Sequence, residues 1–351
     1  MKIYFYSKYD RDGASSRYRT FQYQDYYAEA GIETLCFPLF SNEYLRIRYG
    51  EGRAKASVKD LYRQRWRDMG VVEDCDLVVV EKEFLPYLPS FLEKDTFRDA
   101  KKILVDLDDA IFENYRRHGN PLVRLAIGKK FDRLLGWASG VVCGSKYLSD
   151  YAEERAEHVY QVPTTVDVSK YEMHDHDHDG LISIGWIGTP WSARYLPAIR
   201  EVIETLANEI PLRFIVIGGY APYWNGVDIQ SYTWEEAKEA DWIRWMDIGV
   251  MPLPDTPFER GKCGLKILQY MAAGVVPVAS DVGGNSDLIE EGVDGYLCRT
   301  DNDWTDALLD LARDPQLRAR MGAAGRKKVE EKYSLSVWAP KLEAIYREVA
   351  G

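Results

Sequence analysis

Lys262 and Lys266 stand four residues apart in the stretch ERGKCGLKILQYMAAGVVPVAS, Glu259 to Ser280, with Gly261 just before the first lysine and Gly264 between the two. If a helix begins by Lys262, both ammonium groups project to one side. The two glycines let the backbone close on a ligand. Positive charge gathered with Cys263 beside unpaired amide N–H groups suits a phosphate. Leu265, Leu268, Met271 and Ala272 make an apolar stripe for packing on a sheet, which leaves Gln269 at its border. An amide there can both give and accept hydrogen bonds with a pair of ribose hydroxyls. The bland alternative is a glycine-led entry to a core helix with incidental lysines.

Other stretches repeat the chemistry. In GWIGTPWSARYL a strand ends at Ile187, Gly188 permits a tight turn, and Thr189, Ser192 and Arg194 stand at the start of the next helix. Helix amides with a guanidinium favour a phosphate, although first-turn Ser and Thr also cap helices without any ligand. In SKYDRDGASSRYRTF, Gly13, Ser15 and Ser16 form a loop after the first strand, and Arg17 and Arg19 open the helix behind it. A basic first turn opposes the helix dipole, so these arginines want a counter-charge from a phosphate or an acidic neighbour. Asp106, Asp108 and Asp109 of VDLDDAIF suit Mg²⁺, sugar hydroxyls, or simple capping of the following helix. GVVPVASDVGGNSDLI adds a second glycine-rich loop at Ser280, Asp281, Gly283, Gly284 and Asn285. Trp186, Trp191 and Trp224 are candidates for stacking on a sugar, though large aromatics are more often core.

These residues need strands and helices to hold them, and the sequence supplies an alternating pattern of both. Short runs rich in Val, Ile and aromatics read as strands at Lys2–Ser7, Glu33–Phe37, Leu77–Glu81, Lys102–Asp106, Gly140–Cys143 and Val159–Val162. The rhythm restarts at Ile182–Ile187, Arg213–Gly218, Ile248–Pro252, Val276–Ser280 and Tyr296–Cys298. Helices are expected at Tyr18–Ala30, stopped by Gly31, and at Tyr195–Glu209. The chain of 351 residues thus reads as α/β, with two doubly wound halves. Expected boundaries are 1–170, a linker at 171–181, 182–335, and a final helix at 336–351. The linker sequence YEMHDHDHDGL carries His174, His176 and His178 at alternate positions. A flexible segment offers no preorganised geometry, so it is expected to be solvated, with adventitious metal affinity at most, and no metal ligands are assigned.

Composition narrows the class. Hydrophobic residues at 46% and charged residues at 29% fit packed domains, and the formal charge of −11 argues against nucleic acid as a general partner. Two local stretches reverse that balance: Arg46 to Arg67 has eight Lys/Arg against two acids, and Arg116 to Arg133 has six against one. They read either as solvated helix faces or as a surface toward anionic lipid, giving peripheral membrane contact. Five scattered cysteines without a Cys-x-x-Cys pair argue against disulfides or a zinc framework. Met1 leads directly into KIYFYS with no secretory pattern, so a cytoplasmic location is expected, including the inner face of a membrane. The first strand is followed by DRDGASS, not Gly-x-Gly-x-x-Gly, which argues against a nicotinamide-dependent dehydrogenase.

The segment GKCGLKILQYMAAGVVPVAS, with its Gly264, Leu265, Leu268, Met271, Ala272, Gly274, Pro277, Val278, Ala279 and Ser280, resembles the glycosyltransferases of GT-B type, family 4. GASSRYR and DLDDA add likeness to a bacterial branch of it. The likeness is strongest from Ile182 to Tyr333. It implies two Rossmann-like domains facing across a cleft, a nucleotide-sugar donor held mainly by the second, and a last helix, Ser336 to Val349, crossing back to the first. It also implies retention at the anomeric carbon, with no required cofactor or metal. The acceptor would be a glycan, glycolipid or other acceptor in cell-surface polysaccharide or glycoconjugate synthesis. Gly261 and Gln269 stand where the family has two glutamates, for donor sugar and ribose. Glu259 is the candidate substitute for the first. Of the cation pair that grips the diphosphate, one position maps to Thr189 and the other to Arg194; Lys262 or Lys266 would supply the missing charge, and Asp108 or Asp109 would position the acceptor. A silent nucleotide-sugar-binding module and a non-transferring relative such as an epimerase are the alternatives.

Overall fold

The computed structural model describes residues 1–49, 57–176, 180–220 and 223–351. His178 and part of the first basic stretch lie outside the described residues. The chain divides into two compact units, one of Met1–Thr164 with Arg260–Cys263 and Trp338–Gly351, the other of Thr165–Glu259 with Gly264–Val337.

The first unit is built on six parallel strands: β1 (Lys2–Tyr6), β2 (Glu33–Cys36), β3 (Leu77–Glu81), β4 (Ile103–Leu107), β5 (Gly140–Cys143) and β6 (Val159–Gln161), in the order β2-β1-β3-β4-β5-β6. The central β3, LVVVE, is buried along its whole length. Strands covered on both faces read as continuous apolar runs. Each fully buried Val adds about 1.5–3 kcal/mol. Tyr346 of the last helix, Leu335–Ala350, packs on Phe5 and Tyr27 at ring-centroid separations of 6.0 and 5.8 Å.

The second unit repeats the plan with β7 (Ile182–Ile187), β8 (Leu212–Ile217), β9 (Asp228–Tyr232), β10 (Ile248–Met251), β11 (Val276–Ser280) and β12 (Tyr296–Cys298), in the order β12-β11-β10-β7-β8-β9. Strand β9 was not expected from sequence. It is an edge strand, DIQSY, with no buried residue, so it lacks the apolar run by which the others are legible.

Two expected helices are broken. Over 18–30 the chain forms a helix Ala14–Arg19, a 3₁₀ turn Phe21–Tyr23 and a helix Gln24–Glu29, the break falling at Thr20 with φ −124° and ψ −59°. Over 192–209 a 3₁₀ segment, Ser192–Ile199, precedes the helix Arg200–Glu209. Pro197 lies inside that segment, and its missing N–H and bulky ring disfavour the α ladder.

Candidate functional site

Sheet winding reverses between β7 and β10 in the second unit, where the two strands are hydrogen-bonded neighbours flanked by β8 and β11. Ligands of open parallel sheets bind outside the carboxyl ends of such a pair. The loop after β7 is kept thin. A Cβ on Gly188 would lie 2.5 Å from the Trp186 ring and 2.7 Å from Ser192 Oγ, and one on Gly218, φ +75°, would lie 2.3 Å from the Gly188 carbonyl oxygen. Thr189 N donates to Ser192 Oγ at 3.0 Å and Ser192 N donates to Thr189 O at 2.9 Å. These two residues therefore shape the turn.

Arg194 and Glu259 meet here. The guanidinium carbon of Arg194 lies 3.4 Å from the Trp191 ring centroid, and its Nη2 lies 2.8 Å from Tyr195 Oη and 3.4 Å from Glu259 Oε1. Tyr195 donates to Glu259 Oε1 at 2.5 Å, and the Thr256 hydroxyl donates to the other oxygen. Glu259 is buried, while the Arg194 side chain is 46% exposed. Among the described residues, Arg194 Nε and Nη1 make no hydrogen bond. A fixed carboxylate thus orients a guanidinium that keeps donors for a further anion, the geometry a phosphate uses. Tyr195 and Thr256 were not singled out from sequence, because nothing in their spacing shows that both would turn toward one acid. Trp186 and Trp224 are 1% and 2% exposed and belong to the core, whereas Trp191 is 47% exposed.

The stretch that carries the lysines differs from expectation. The helix begins at Leu265, after Gly264 in a left-handed conformation at φ 64° and ψ 24°, so Lys262 and Lys266 share no helix face. A side chain on Gly264 would meet Leu288 at 2.2 Å. Lys266 Nζ stands 5.7 Å from the Trp186 ring centroid. Gln269 is 3% exposed rather than at a border, and its amide donates to Glu239 Oε1 at 2.9 Å. Trp234 Nε1 donates to the second Glu239 oxygen at 2.5 Å.

Lys262 and Cys263 group with the first unit. Lys262 Nζ donates to Asp109 Oδ1 at 3.0 Å and Cys263 Sγ donates to the Asp108 carbonyl at 3.2 Å. Burial, together with Asp108, pushes the Cys263 thiol well up. A Cβ on Gly261 would fall 2.4 Å from that of Ala110, and one on Gly144 2.5 Å from Cys263 Sγ.

The first sheet has its own winding reversal between β1 and β3, and the residues there neutralise one another. Gly13 caps the helix Ala14–Arg19, so Ser15 and Ser16 are helical rather than in a loop, and Arg17 and Arg19 lie buried in its last turn rather than its first. Ser15 Oγ donates to Glu81 Oε1 at 2.7 Å and also contacts Asp108, while Ser16 Oγ donates to Glu81 Oε2 at 2.5 Å. Lys82, forced to φ 65°, brings its buried ammonium 2.6 Å from Asp108 and 3.1 Å from Glu81. Burial alone would lower the Lys82 pKa and raise that of Asp108, but their attraction wins: lysine is held above and Asp108 below its ordinary range. Arg19 Nη2 lies 2.6 Å from Asp106, and Arg19 also donates to the Val162 and Pro163 carbonyls. Asp106, Asp108 and Asp109 thus each face a cation of the protein, a donor set unlike that of Mg²⁺.

Residues 181–314 match the family model described as glycosyl transferases group 1. Over 94 residues the chain is 34% identical to N-acetyl-alpha-D-glucosaminyl L-malate synthase of Bacillus anthracis, covering 26% of this chain and 24% of that protein. The chain spans about a quarter of the length of the curated relatives it matches. Among solved structures it resembles sucrose-phosphate synthase from Thermosynechococcus elongatus at TM-score 0.73 and 14% identity, over 99% of both chains. It also resembles Anabaena Alr3699/HepE in complex with UDP-glucose at TM-score 0.72 and 14% identity, over 99% of this chain and 100% of that one.

Proposed function

From a chain that carries a glycosyl transferases group 1 domain over residues 181–314 on a GT-B frame, we propose a retaining glycosyltransferase that uses a nucleoside-diphosphate sugar. The observation that carries this reading is the half-exposed Arg194 guanidinium, aligned by buried Glu259 at the winding reversal of the second sheet.

The donor diphosphate lies against Arg194 and the thin Gly188 turn. An acceptor hydroxyl oxygen bonds to the anomeric carbon from the face the diphosphate leaves. The bond from that carbon to the phosphate oxygen breaks, its electron pair stays on the diphosphate, and the hydroxyl proton passes to a phosphate oxygen. Charge on the leaving group grows as the bond breaks, so a preorganised cation lowers the barrier. No cofactor or metal enters these steps. Glu259 positions Arg194. The acceptor is a glycan or glycolipid. Exposed Leu122 and Leu125, on the helix Pro121–Ile127 within the basic stretch, suit peripheral contact with an anionic membrane on its cytoplasmic side.

Incubation with a panel of UDP-, GDP- and dTDP-sugars, read by release of the nucleoside diphosphate and by the anomeric NMR coupling of the product, tests this reading. Release with retained configuration is expected. Binding of a donor without release or transfer to any acceptor would leave the chain a nucleotide-sugar-binding module.

A further inference from the structure

Two histidines of the segment read as a solvated linker fold onto the second unit. His176 is 7% exposed and Asp247, the residue before β10, is fully buried. Nδ1 of His174 lies 2.6 Å from the Arg244 carbonyl oxygen, and Nε2 of His176 lies 3.0 Å from the Gly274 carbonyl oxygen. A carbonyl only accepts, so each of those nitrogens carries the hydrogen, and in the neutral rings the other nitrogen holds a lone pair. These lone-pair nitrogens turn toward the same carboxylate oxygen, Asp247 Oδ1: His174 Nε2 at 3.1 Å and His176 Nδ1 at 3.9 Å. His176 Nδ1 is buried and has no hydrogen-bond partner. The three donor atoms lie within 4.8 Å of one another.

Three converging acceptors repel unless a proton or a metal ion stands between them. A backbone carbonyl behind each imidazole is also the arrangement that fixes the tautomer of a metal-binding histidine. Asp247 is held from its far side by Ser183 N, which donates to Oδ2 at 2.8 Å. Two imidazole nitrogens and one carboxylate oxygen suit a divalent ion of the zinc type, with water completing four-coordination. Arg318 Nε, 3.5 Å from Asp247 Oδ1, competes with the ion for that oxygen. We propose that His174, His176 and Asp247 form a zinc-type metal site. It lies at the amino end of β10, whereas Thr256 and Glu259 follow the carboxyl end, so its role is to pin the 171–176 segment to its sheet rather than to take part in sugar transfer.

Tag-free full-length protein, stripped with chelator and titrated with Co²⁺, tests the site. Expected are one equivalent bound per chain, a visible d–d band of a tetrahedral N/O site, displacement of that band by Zn²⁺, and a rise in melting temperature on Zn²⁺ addition. The band and the rise disappear in His176→Ala and Asp247→Asn and persist in His158→Ala, a histidine exposed on the first unit. No band in the wild-type protein, or a band that survives His176→Ala, overturns the proposal. So does ¹⁵N NMR showing both His174 nitrogens protonated with Zn²⁺ present, since a proton then fills the place of the ion. The wild-type titration and spectrum stand even where a variant fails to fold.

Discussion

Each of the two parallel sheets has one winding reversal, between the first and third strands of one and the first and fourth of the other, and the residues at the two carboxyl ends balance their charges differently. At the winding reversal of the first sheet, Ser15, Ser16, Glu81, Lys82, Asp106, Asp108 and Arg19 satisfy one another in a buried network. At that of the second, Glu259 holds Arg194 from behind while nearly half of the guanidinium side chain meets solvent. A buried charge set that closes on itself specifies local structure; a charge held from one side is ready for a ligand. Winding order therefore locates both crevices, but only the balance of charge tells which one is prepared for an anion.

The largest effect should come from breaking the closed network. Arg19→Met leaves Asp106 buried and unpaired and should cost about 3–5 kcal/mol in chemical denaturation, whereas the double variant Arg19→Met/Asp106→Leu should recover much of that loss. Arg194→Ala should do the opposite: a smaller loss of stability, since the Tyr195 and Thr256 hydroxyls still donate to Glu259, and transfer slowed about a hundredfold, near 3 kcal/mol of transition-state stabilisation, in steady-state assays. Equal destabilisation by the two single variants would erase the contrast between the sheets.

A smaller effect probes the interior of the second unit. Gln269→Glu places a second carboxylate beside Glu239, which Gln269 now supplies with a hydrogen bond of 2.9 Å. The melting temperature should fall by an amount corresponding to about 1–3 kcal/mol at neutral pH, with partial recovery in mild acid as one carboxylate takes up a proton. The smallest effect is a change of slope. Asp108 is held below its ordinary value of 3.8 by Lys82, so its stabilisation is complete above that value and is lost as pH falls through its lower folded value. Asp108→Asn should therefore flatten the acid limb of the stability curve below about pH 4.

Much of the frame was legible because parallel strands covered on both faces are largely apolar: β3, β5, β7 and β11 fall where the runs of Val, Ile and aromatics place them. The edge strand β9 was not, since its half-exposed residues carry no such run. The helix-terminal arginines were read as needing a counter-charge, which Asp106 supplies to Arg19 from a strand far along the chain. Local spacing failed at Lys262, because the left-handed Gly264 delays the helix by one turn. Spacing also could not show that His174 and His176 leave solvent to meet Asp247, because that partner is distant in sequence.

The most direct measurement is calorimetric titration of a nucleoside diphosphate into the wild-type protein, Arg194→Ala, and Arg313→Ala, which removes an equal charge from an exposed surface pair of the same unit. A Kd weakened tenfold or more by Arg194→Ala, and left within twofold by Arg313→Ala, is expected. Equal affinity in all three proteins would contradict a diphosphate site at the carboxyl end of β7.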